Sequence, residues 1–508
     1  MDDWAELDRA LGELVRSGCV EVREDGQWLA GLVDLHYELR HAGKNPLVHL
    51  WSEEKNLTRK ILGVKENEAN RIVLEVQRFG RSKPGRLEFL RKDSPRALGR
   101  ITREQFRERF QRFLAERFPD ADAHSISAAP DLEHSFSGQY VRGRMREGPR
   151  EWAFLAASPA ETAVTIDGIL AFGLLWLDWT RDHSEKRAVE GLRLFVPEGS
   201  STVLRERILT LAPAAHTEVY EFNEPESRVH KLDVQDAGNL ESCLVPRRNV
   251  ESTLSAGSHA LTRVRSMVPG TAEAIASRVL ADTVRMREAG KPGELVFSFL
   301  GLEFARWTQE GMYFGVGDAS ARLTTTKESQ LEQEIRALSL RRNASAENIS
   351  HYYYHAAPER WLETLILEDP SRVEAQLDPA FLYSQVPALA AGDRGVLDLL
   401  GVTRRGRLVV IELKASEDIQ LPMQALDYWL RVRRHQREGD FQRFGYFTGI
   451  ELDPKPPLVW LVAPGLRFHP ATDTVLKYLS PEIEITRIGI NENWRRGIKV
   501  IFRQGLTR

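Results

Sequence analysis

The sequence contains little cysteine and no long apolar run. Only two of its 508 residues are cysteines, Cys19 and Cys243, and neither belongs to a CxxC pair or a Cys/His cluster. This argues against a disulfide framework and against a structural zinc site. No apolar run approaches the roughly 20 residues that cross a bilayer, and the opening MDDWAELDRALGELVRSG lacks the apolar core of a signal peptide. We therefore expect a cytoplasmic protein that does not enter a membrane.

A large excess of charge of either sign is also absent. The formal net charge is −3 and the isoelectric point is near 6.5, so any contact with nucleic acid must come from local basic surfaces. Hydrophobic residues make up 42% and charged residues 28% of the chain, the usual mixture of a soluble globular protein. Neither GxxxxGK[ST] nor GxGxxG occurs, which argues against nucleotide-driven translocation and a dinucleotide cofactor.

The length predicts several α/β domains rather than one core. At the start, a helical pattern with Leu7, Leu11 and Leu14 precedes a hairpin centred on Asp25-Gly26. Helix plus hairpin suggests a winged helix, although a small packing domain without DNA contact fits equally well. The last third reads helix, strand, hairpin, helix, strand, helix, strand. The predicted divisions are 1–98, winged-helix-like and β; 99–250, α/β; 251–345, a mixed connecting region; and 346–508, the final α/β domain.

Two acids and a lysine interrupt an apolar hairpin in this last domain. The segment GVLDLLGVTRRGRLVVIELKAS turns at Arg404-Arg405-Gly406. A tight antiparallel hairpin centred on Arg405 places Asp398 directly opposite Glu412. Because side chains alternate between the faces of a strand, Lys414 shares the face of Glu412.

Facing carboxylates at this spacing require a compensating positive charge. Cross-strand β-carbons lie about 5 Å apart, and two ionised carboxylates at that separation repel by roughly 3 kcal/mol at an effective dielectric near 20. Oxygen ligands without nearby histidine or cysteine favour Mg²⁺ or Mn²⁺ over zinc. Lys414 could orient the attacking water or neutralise a phosphate oxygen. An ordinary salt bridge is the alternative for an isolated ExK, but the facing Asp398 and the flanking helices favour catalysis.

These residues resemble the PD-(D/E)xK nuclease superfamily, with Leu397-Asp398 in place of the usual Pro-Asp. The resemblance covers roughly residues 346–508. It implies a mixed sheet flanked by helices and metal-dependent hydrolysis of phosphodiester bonds. Asp398 and Glu412 would bind the metal with the Leu413 carbonyl as a further ligand, and Lys414 would orient or activate the nucleophilic water.

Two flanking helices extend the resemblance to the NucS-like and RecB-like branch. In ERWLETLILEDPSRV, Glu363 matches the glutamate that joins the metal site in that branch, and Glu359, one turn earlier, is the second choice. In QLPMQALDYW, Gln424 and Tyr428 match the QxxxY helix, which implies substrate contact or support of the site. Arg431, on the same helix, is a candidate phosphate contact, although a solvated charged face is an equally good interpretation.

An earlier segment repeats the pattern without its charged residues. REWAFLAAS aligns with LVVIELKAS, so that Leu155, Ala157 and Ser158 coincide with Leu413, Ala415 and Ser416, and a preceding helix, a following LLWLDWTR and the strand GLRLFVPEG correspond in order. Phe154 and Ala156 then stand in the places of the glutamate and lysine, and Tyr140 in the place of the aspartate. We interpret residues 99–250 as a degenerate, metal-free nuclease-like domain; two unrelated α/β units with similar patterns remain the alternative.

The predicted function is therefore that of a Mg²⁺- or Mn²⁺-dependent deoxyribonuclease, an endonuclease of DNA repair or defence. DNA, single- or double-stranded, is the expected partner. One active centre cuts one strand, so cutting both strands requires two binding events or a homodimer. The alternatives are a non-catalytic nucleic-acid-binding or assembly protein built on nuclease-like scaffolds, and a nuclease that acts on RNA.

Overall fold

The structure is a computed structural model of the full chain. Cys19, Cys243 and the predicted turn residues Asp25 and Gly26 lie outside the described residues. The residues that the structure describes are 2–16, 20–24, 27–32, 36–40, 46–51, 56–68, 71–77, 84–91, 95–131, 133–184, 187–234, 244, 246–247, 255, 258, 262, 284–288, 294–308, 310–316, 321–346, 351–387 and 396–505.

The chain is mixed α/β and forms two compact units, each built from two separate stretches. The first unit combines residues 1–101 with 253–356, and the second combines residues 102–252 with 357–508. We call the two stretches of the second unit the first half (102–252) and the second half (357–508). None of the helices in the described ranges combines the length and the apolar character that crossing a bilayer requires.

The described part of residues 2–91 contains one helix and a seven-stranded antiparallel sheet of order β2-β1-β7-β6-β5-β4-β3. The apolar stripe predicted on the helix is buried, with Leu7 and Leu11 packed in a core with strand residues such as Val48. The elements are α1 (Asp2–Arg16), β1 (Val20–Glu24), β2 (Gln27–Leu32), β3 (His36–Arg40), β4 (Leu47–Trp51), β5 (Asn56–Glu68), β6 (Arg71–Gln77) and β7 (Gly85–Arg91).

The winged-helix prediction for this stretch is wrong, whereas its β character is confirmed. The predicted hairpin is present, since Glu24 of β1 pairs with Gln27 of β2. However, α1 is the one helix within the described part of residues 2–91, and the chain continues as further antiparallel strands. A helix followed by a hairpin is common to many folds, and the longer alternating segments that follow decide this one.

The second stretch of the first unit is a smaller antiparallel sheet followed by helices. Its order is β14-β15-β16-β17-β18. Arg342, fully buried, ties sheet and helices together by donating hydrogen bonds to the carbonyl oxygens of Leu300, Tyr353 and Ala356. The elements are β14 (Val284–Glu288), β15 (Leu295–Phe299), β16 (Leu302–Thr308), β17 (Gly311–Phe314), β18 (Ala321–Arg322), α6 (Glu328–Arg341) and α7 (Tyr352–His355).

The first half is a six-stranded mixed sheet of order β13-β12-β11-β10-β9-β8 with helices on both faces. Strands β10, β11 and β12 are parallel to one another, and the outer pairings are antiparallel. The elements are α2 (Pro95–Arg117), β8 (Asp122–Ser127), β9 (Tyr140–Glu147), β10 (Arg150–Ala157), α3 (Ala163–Asp167), α4 (Ile169–Asp182), β11 (Val189–Pro197), α5 (Thr202–Ile208), β12 (Thr217–Asn223) and β13 (Arg228–Lys231).

The second half is also a six-stranded mixed sheet, of order β19-β20-β21-β22-β23-β24. Strands β21, β22 and β23 are parallel, and the outer pairings are antiparallel. The elements are α8 (Pro358–Glu368), β19 (Tyr383–Pro387), β20 (Val396–Val402), β21 (Leu408–Leu413), α9 (Leu421–Glu438), α10 (Asp440–Arg443), β22 (Leu458–Pro464), α11 (Thr472–Lys477), β23 (Ile485–Ile490) and β24 (Val500–Gly505).

The two halves share one topology. Both sheets have the same chain order of strands and the same sequence of antiparallel and parallel pairings. Both also place a helix before the sheet and helices at the two parallel crossovers. The strand order therefore agrees with the correspondence predicted from the sequence.

The predicted hairpin forms in the predicted register. Leu399 faces Ile411 and Val402 faces Leu408, and extending this ladder by one residue brings Asp398 opposite Glu412. The turn depends on Gly406, whose φ is +81° and whose Cβ position lies 2.1 Å from the carbonyl oxygen of Glu451. Only glycine fits such a close backbone approach at positive φ.

Candidate active site

The two predicted acids lie side by side where β21 ends. Every residue of β21 is buried, because the strand is central in its sheet and apolar at every position except Glu412. Glu412 is 5% exposed, and its Oε2 has no hydrogen-bond partner among the described residues. The Asp398 Oδ2 accepts a hydrogen bond of 3.0 Å from the backbone N–H of Leu413. One of the two acids is thus held by the backbone, while the other has an unsatisfied buried oxygen.

Burial and mutual repulsion change the acidity of both carboxyl groups. Burial raises the pKa of Glu412 well above its ordinary value, and the neighbouring Asp398 carboxylate raises it further. Burial also raises the pKa of Asp398, against the opposing effects of Arg360 and the Leu413 N–H. Neither carboxyl group is fully compensated by its neighbours, which is the condition that a bound cation relieves.

Lys414 extends into the same site. Its Nζ lies 3.3 Å from Asp418 Oδ2, and 19% of its side chain is exposed. Burial alone would lower the pKa of Lys414, but the carboxylates of Glu412 and Asp418 raise it. Lys414 is therefore a fixed ammonium ion next to the paired acids. Its backbone N–H donates to the carbonyl oxygen of Val462, which holds it against β22.

Helix α8 supplies one glutamate to the pocket and a second beneath it. Glu359 lines the pocket, and its Oε1 accepts a hydrogen bond of 3.2 Å from the backbone N–H of Ala415. Glu363 is buried and does not line the pocket; its Oε2 accepts a hydrogen bond of 2.8 Å from Arg360 Nη1. The same Arg360 atom lies 3.6 Å from Asp398 Oδ1. Glu359, the second choice from the sequence, thus lines the pocket itself, whereas Glu363, the first choice, is linked to it through Arg360.

Helix α9 brings Gln424 and Tyr428 to the pocket, as the QxxxY pattern predicts. The Gln424 Oε1 is buried without a hydrogen-bond partner among the described residues. Burial raises the pKa of Tyr428, and the carboxylates of Glu412 and Asp398 raise it further, so the phenol stays protonated. The apolar stripe predicted beside them, Leu421, Ala425 and Trp429, is buried.

Arg431, predicted to contact phosphate, does not face the pocket. It is 4% exposed, and its Nη2 donates to Glu206 Oε2 of the first half at 2.9 Å. The sequence identified its position on α9 but could not show that α5 packs there. The contact with substrate expected of Arg431 is therefore corrected to a buried ion pair.

The paired acids, Lys414 and side chains from α8 and α9 line a pocket of about 600 Å³. Of the residues named from the sequence, those lining it are Glu359, Asp398, Glu412, Leu413, Lys414, Gln424 and Tyr428. Part of the wall comes from the first half, through Val164, Asp167, Gly168 and Arg207. The volume falls in the range of ordinary ligand pockets.

The first half lacks acids at the equivalent positions, although the alignment shifts by one residue. Leu155 and Ala157 of β10 pack on the α4 side of their sheet, whereas Phe154 packs with Phe110 of α2. In the second half, Glu412 shares its strand face with Val410, which packs in one cluster with Val432 of α9. Leu155, rather than Phe154, therefore corresponds to Glu412.

Arg142 stands opposite this position in the first half. The β9–β10 ladder pairs Leu155 with Arg142, so Arg142 takes the place of Asp398, which the sequence alignment had given to Tyr140. The Arg142 guanidinium lies over the rings of Phe136 and Trp176, and Nη1 donates to the carbonyl oxygen of Ala129. A cation packed among aromatic rings replaces the carboxylate.

A second group of metal-type ligands lies at the end of α9. Ligand atoms of His435, Glu438 and Asp440 lie within 4.8 Å of one another. His435 and Asp440 are joined at 2.6 Å, Asp440 also pairs with Arg443, and Glu438 pairs with Arg434. Both carboxylates therefore already have partners within the protein, so we interpret the group as a structural cluster of polar contacts.

Several residues at the pocket were not found from the sequence. Arg360 lies three residues before Glu363 on α8, a spacing that brings side chains together on a helix, and this was an available signal. Asp418 reaches Lys414 from the loop before α9, where the sequence spacing alone predicts no contact. Arg207 carries no such signal, because only tertiary packing brings it to the pocket.

No protein-family model matches the chain, and no curated protein matches it.

The donor set fits a hard divalent cation. Asp398 and Glu412 offer carboxylate oxygens, and the buried Glu412 Oε2 has no donor among the described residues. Carboxylate oxygen ligands favour Mg²⁺ or Mn²⁺. Glu359 offers a further carboxylate within the pocket.

Proposed function

We propose that this protein is a metal-dependent nuclease that hydrolyses phosphodiester bonds of DNA, with its active centre in the second half. The observation that carries the proposal is the pair Asp398 and Glu412 on facing strands, with Lys414 beside them, in one pocket. The mixed sheet with flanking helices supports a PD-(D/E)xK-type fold, and the shared topology supports a degenerate nuclease-like first half.

The residues have distinct roles in this proposal. Asp398 and Glu412 hold Mg²⁺ or Mn²⁺, with the Leu413 carbonyl and a glutamate of α8 as further ligands. A cation held there would polarise the phosphate and make water a better nucleophile. Lys414 holds that water or a phosphate oxygen by its fixed charge. Gln424 offers a buried acceptor, and Tyr428, protonated because of its burial, donates to substrate.

The deciding experiment is a cleavage panel with the purified full-length protein. Single-stranded DNA, duplex DNA and RNA are each incubated with Mg²⁺, Mn²⁺ or EDTA. We expect cleavage of DNA that requires the metal. Lys414→Ala lowers its rate by about 10²- to 10⁴-fold, the range typical of a lost acid–base or charge-stabilising group.

The control is Lys455→Ala, because Lys455 is an exposed lysine outside the pocket in the same half. Full metal-dependent cleavage by Lys414→Ala would refute the assignment of the site. Cleavage of RNA alone would transfer the activity to an RNA substrate. Binding of DNA in EDTA, with no cleavage under any condition, would instead favour a binding or assembly protein.

A further inference from the structure

The two halves of the second unit meet through a reciprocal pair of backbone hydrogen bonds. Ala212 N donates to Tyr478 O at 2.8 Å, and Ser480 N donates to Thr210 O at 2.7 Å. These bonds close an isolated antiparallel bridge between Leu211 and Leu479. A main-chain contact thus joins the loop after α5 to the loop after α11.

The bridged residues are equivalent positions of the two halves. Leu211 opens the sequence Leu-Ala-Pro and Leu479 the sequence Leu-Ser-Pro. Each leucine lies six residues before the start of the next strand, at Thr217 in β12 and Ile485 in β23 (217 − 211 = 485 − 479). Because each residue contacts its own counterpart, the contact has the form of an isologous interface around a local two-fold axis.

The helices obey the same reciprocity. α4 of the first half contacts α11 of the second, and α9 of the second half contacts α5 of the first. One shared core encloses residues of all four helices, including Leu174, Leu204, Ala425 and Val475. The second unit is therefore built as a dimer within one chain.

Next to the candidate active site, the first half holds α9 by two buried ion pairs. Arg207 Nε and Nη2 donate to the Asp427 carboxylate at 2.9 and 2.7 Å. Arg207 Nη1 also donates to the carbonyl oxygen of Asp167 at 2.6 Å. The second pair joins Glu206 to Arg431. Tyr428 lies between these two anchored positions of α9, at 427 and 431.

The first half also fixes the start of α9 and the far wall of the pocket. Gln420 Nε2 donates to the carbonyl oxygen of Gly168 at 3.2 Å. A Cβ at Gly168 would lie 3.1 Å from that same Gln420 atom, so the junction of α3 and α4 packs closely against the pocket.

We propose that the first half serves as a built-in, inactive partner, and that Arg207 is a positioning residue that holds Gln424 and Tyr428 of α9 in place for cleavage. The inference rests on the proposed nuclease function. The first half itself cannot bind a metal at its equivalent strand positions, because these are Leu155 and Ala157. The proposal gives it a supporting role in catalysis by the second half. Arg207 acts through Asp427 and does not contact the paired acids in this arrangement.

The test compares Arg207→Met with Asp178→Asn as the matched control. Asp178 belongs to the reciprocal contact, where Lys477 Nζ and the Tyr478 hydroxyl lie 2.7 and 2.8 Å from its Oδ1, and it does not line the pocket. Both variants weaken the contact between halves, but only Arg207→Met releases α9. The readouts are kcat and KM on DNA, Mn²⁺ affinity by calorimetry, and hydrogen exchange of the backbone amides of residues 421–430 other than Pro422.

We expect Arg207→Met to lower kcat by about tenfold or more, as small misplacements of catalytic groups do. Amide exchange of residues 421–430 accelerates, while Mn²⁺ affinity stays within about twofold because Asp398 and Glu412 are untouched. Asp178→Asn leaves kcat, Mn²⁺ affinity and exchange of residues 421–430 at wild-type levels. Should Arg207→Met fail to fold, Arg207→Met/Asp427→Asn removes both buried charges and carries the same test.

A wild-type kcat in the Arg207 variant, or an equal loss in Asp178→Asn, overturns the positioning role while the nuclease function stands. Wild-type protein that cleaves no substrate refutes the nuclease function. The positioning role is then refuted as well. A difference in hydrogen exchange between the variants would in that case show that the contact of Arg207 with Asp427 is structural only.

Discussion

Glu412 is the residue on which the chemistry of the pocket depends most. It is nearly enclosed, it faces a second carboxylate, and one of its oxygens lacks a hydrogen-bond partner among the described residues. A buried charge of this kind costs folding free energy unless a cation or proton compensates it. The same feature that suits Glu412 to a metal therefore destabilises the fold without one.

This cost predicts a pH-dependent stability. Because the folded pKa of Glu412 is raised, its contribution is most favourable below the unfolded value and is lost as pH rises toward and through the folded pKa. In EDTA at neutral pH, Glu412→Gln should therefore raise the thermal unfolding midpoint by about 2–4 °C. The difference between variant and wild type should shrink as pH falls toward 4.5, the ordinary pKa of glutamate.

Manganese provides the control for this prediction. A ligand at a hundredfold excess over its dissociation constant stabilises the folded state by about 2.7 kcal/mol. Saturating Mn²⁺ should therefore stabilise the wild type, so that its unfolding midpoint becomes higher than that of Glu412→Gln. A variant less stable than wild type in EDTA at pH 8 would show that Glu412 is already compensated within the protein.

The two glutamates of α8 should differ in their effects. Glu359 lines the pocket, whereas Glu363 lies beneath it and pairs with Arg360. Glu359→Gln is expected to weaken Mn²⁺ binding and cleavage by about tenfold, the lower end of the effect of losing a group that supports a metal site. Glu363→Gln is expected mainly to destabilise, by about 1–3 kcal/mol, since it weakens a buried charge-assisted hydrogen bond. Calorimetry and thermal unfolding of both variants separate these effects.

Strand residues of the site were easier to predict than helix residues. Asp398, Glu412 and Lys414 follow from a hairpin, because a turn position and the two-residue alternation of strands fix both partner and face. On α8 and α9 the sequence gives a helix face but not what packs against it. This is why Glu363 was ranked ahead of Glu359, which lines the pocket, and why Arg431 was a candidate phosphate contact although it is buried against Glu206.

At the scale of the element, the β20–β21 hairpin depends on its turn. Gly406→Ala puts a Cβ 2.1 Å from the Glu451 carbonyl oxygen at a φ of +81°. We expect a destabilisation of about 3 kcal/mol or more, since the left-handed conformation costs about 1–2 kcal/mol and the backbone must also move. Cleavage should fall with it, because this turn sets Asp398 opposite Glu412.

Gly439, which follows α9, is the matched control for Gly406. Its φ is +71°, but a Cβ there meets nothing within 4 Å. Gly439→Ala should cost about 1–2 kcal/mol, the left-handed conformation alone, and should leave cleavage unchanged. Equal unfolding midpoints for the two variants would contradict the importance of the close approach at Gly406.

Elements with a distinctive spacing were predictable, and those with a common pattern were not. The repeat of helix, hairpin, helix and strand in the two halves spans enough elements to predict a shared order. By contrast, α1 and the β1–β2 hairpin fit many folds, and in the described part of this stretch they belong to a seven-stranded antiparallel sheet, which a winged helix does not contain. The contact between the halves could not be predicted from the sequence, because it depends on tertiary packing that brings Glu206 and Arg207 against α9.

At the scale of the whole molecule, one chain carries two copies of one topology, and among the described residues the paired acids belong to the second half and are absent from the equivalent positions of the first. The reciprocal bridge at Leu211 and Leu479 shows how the copies associate. In the first half, Leu155 faces Arg142 where the second half has Glu412 facing Asp398. An apolar residue opposite an arginine cannot bind a divalent cation, so of these two equivalent positions the one in the second half is suited to the proposed hydrolysis.

A single centre predicts that the protein nicks duplex DNA. With supercoiled plasmid and Mn²⁺, the open circle should accumulate first, and the linear form should follow only after a second, independent cut on the opposite strand. The rate of nicking should be first order in protein, since each chain contains a complete pocket with walls from both of its halves. Gel analysis of a time course at limiting protein, with light scattering of the same sample to establish its mass, measures both quantities. Direct appearance of the linear form at one chain per plasmid would require a second competent centre, and a second-order dependence would mean that two chains cut together.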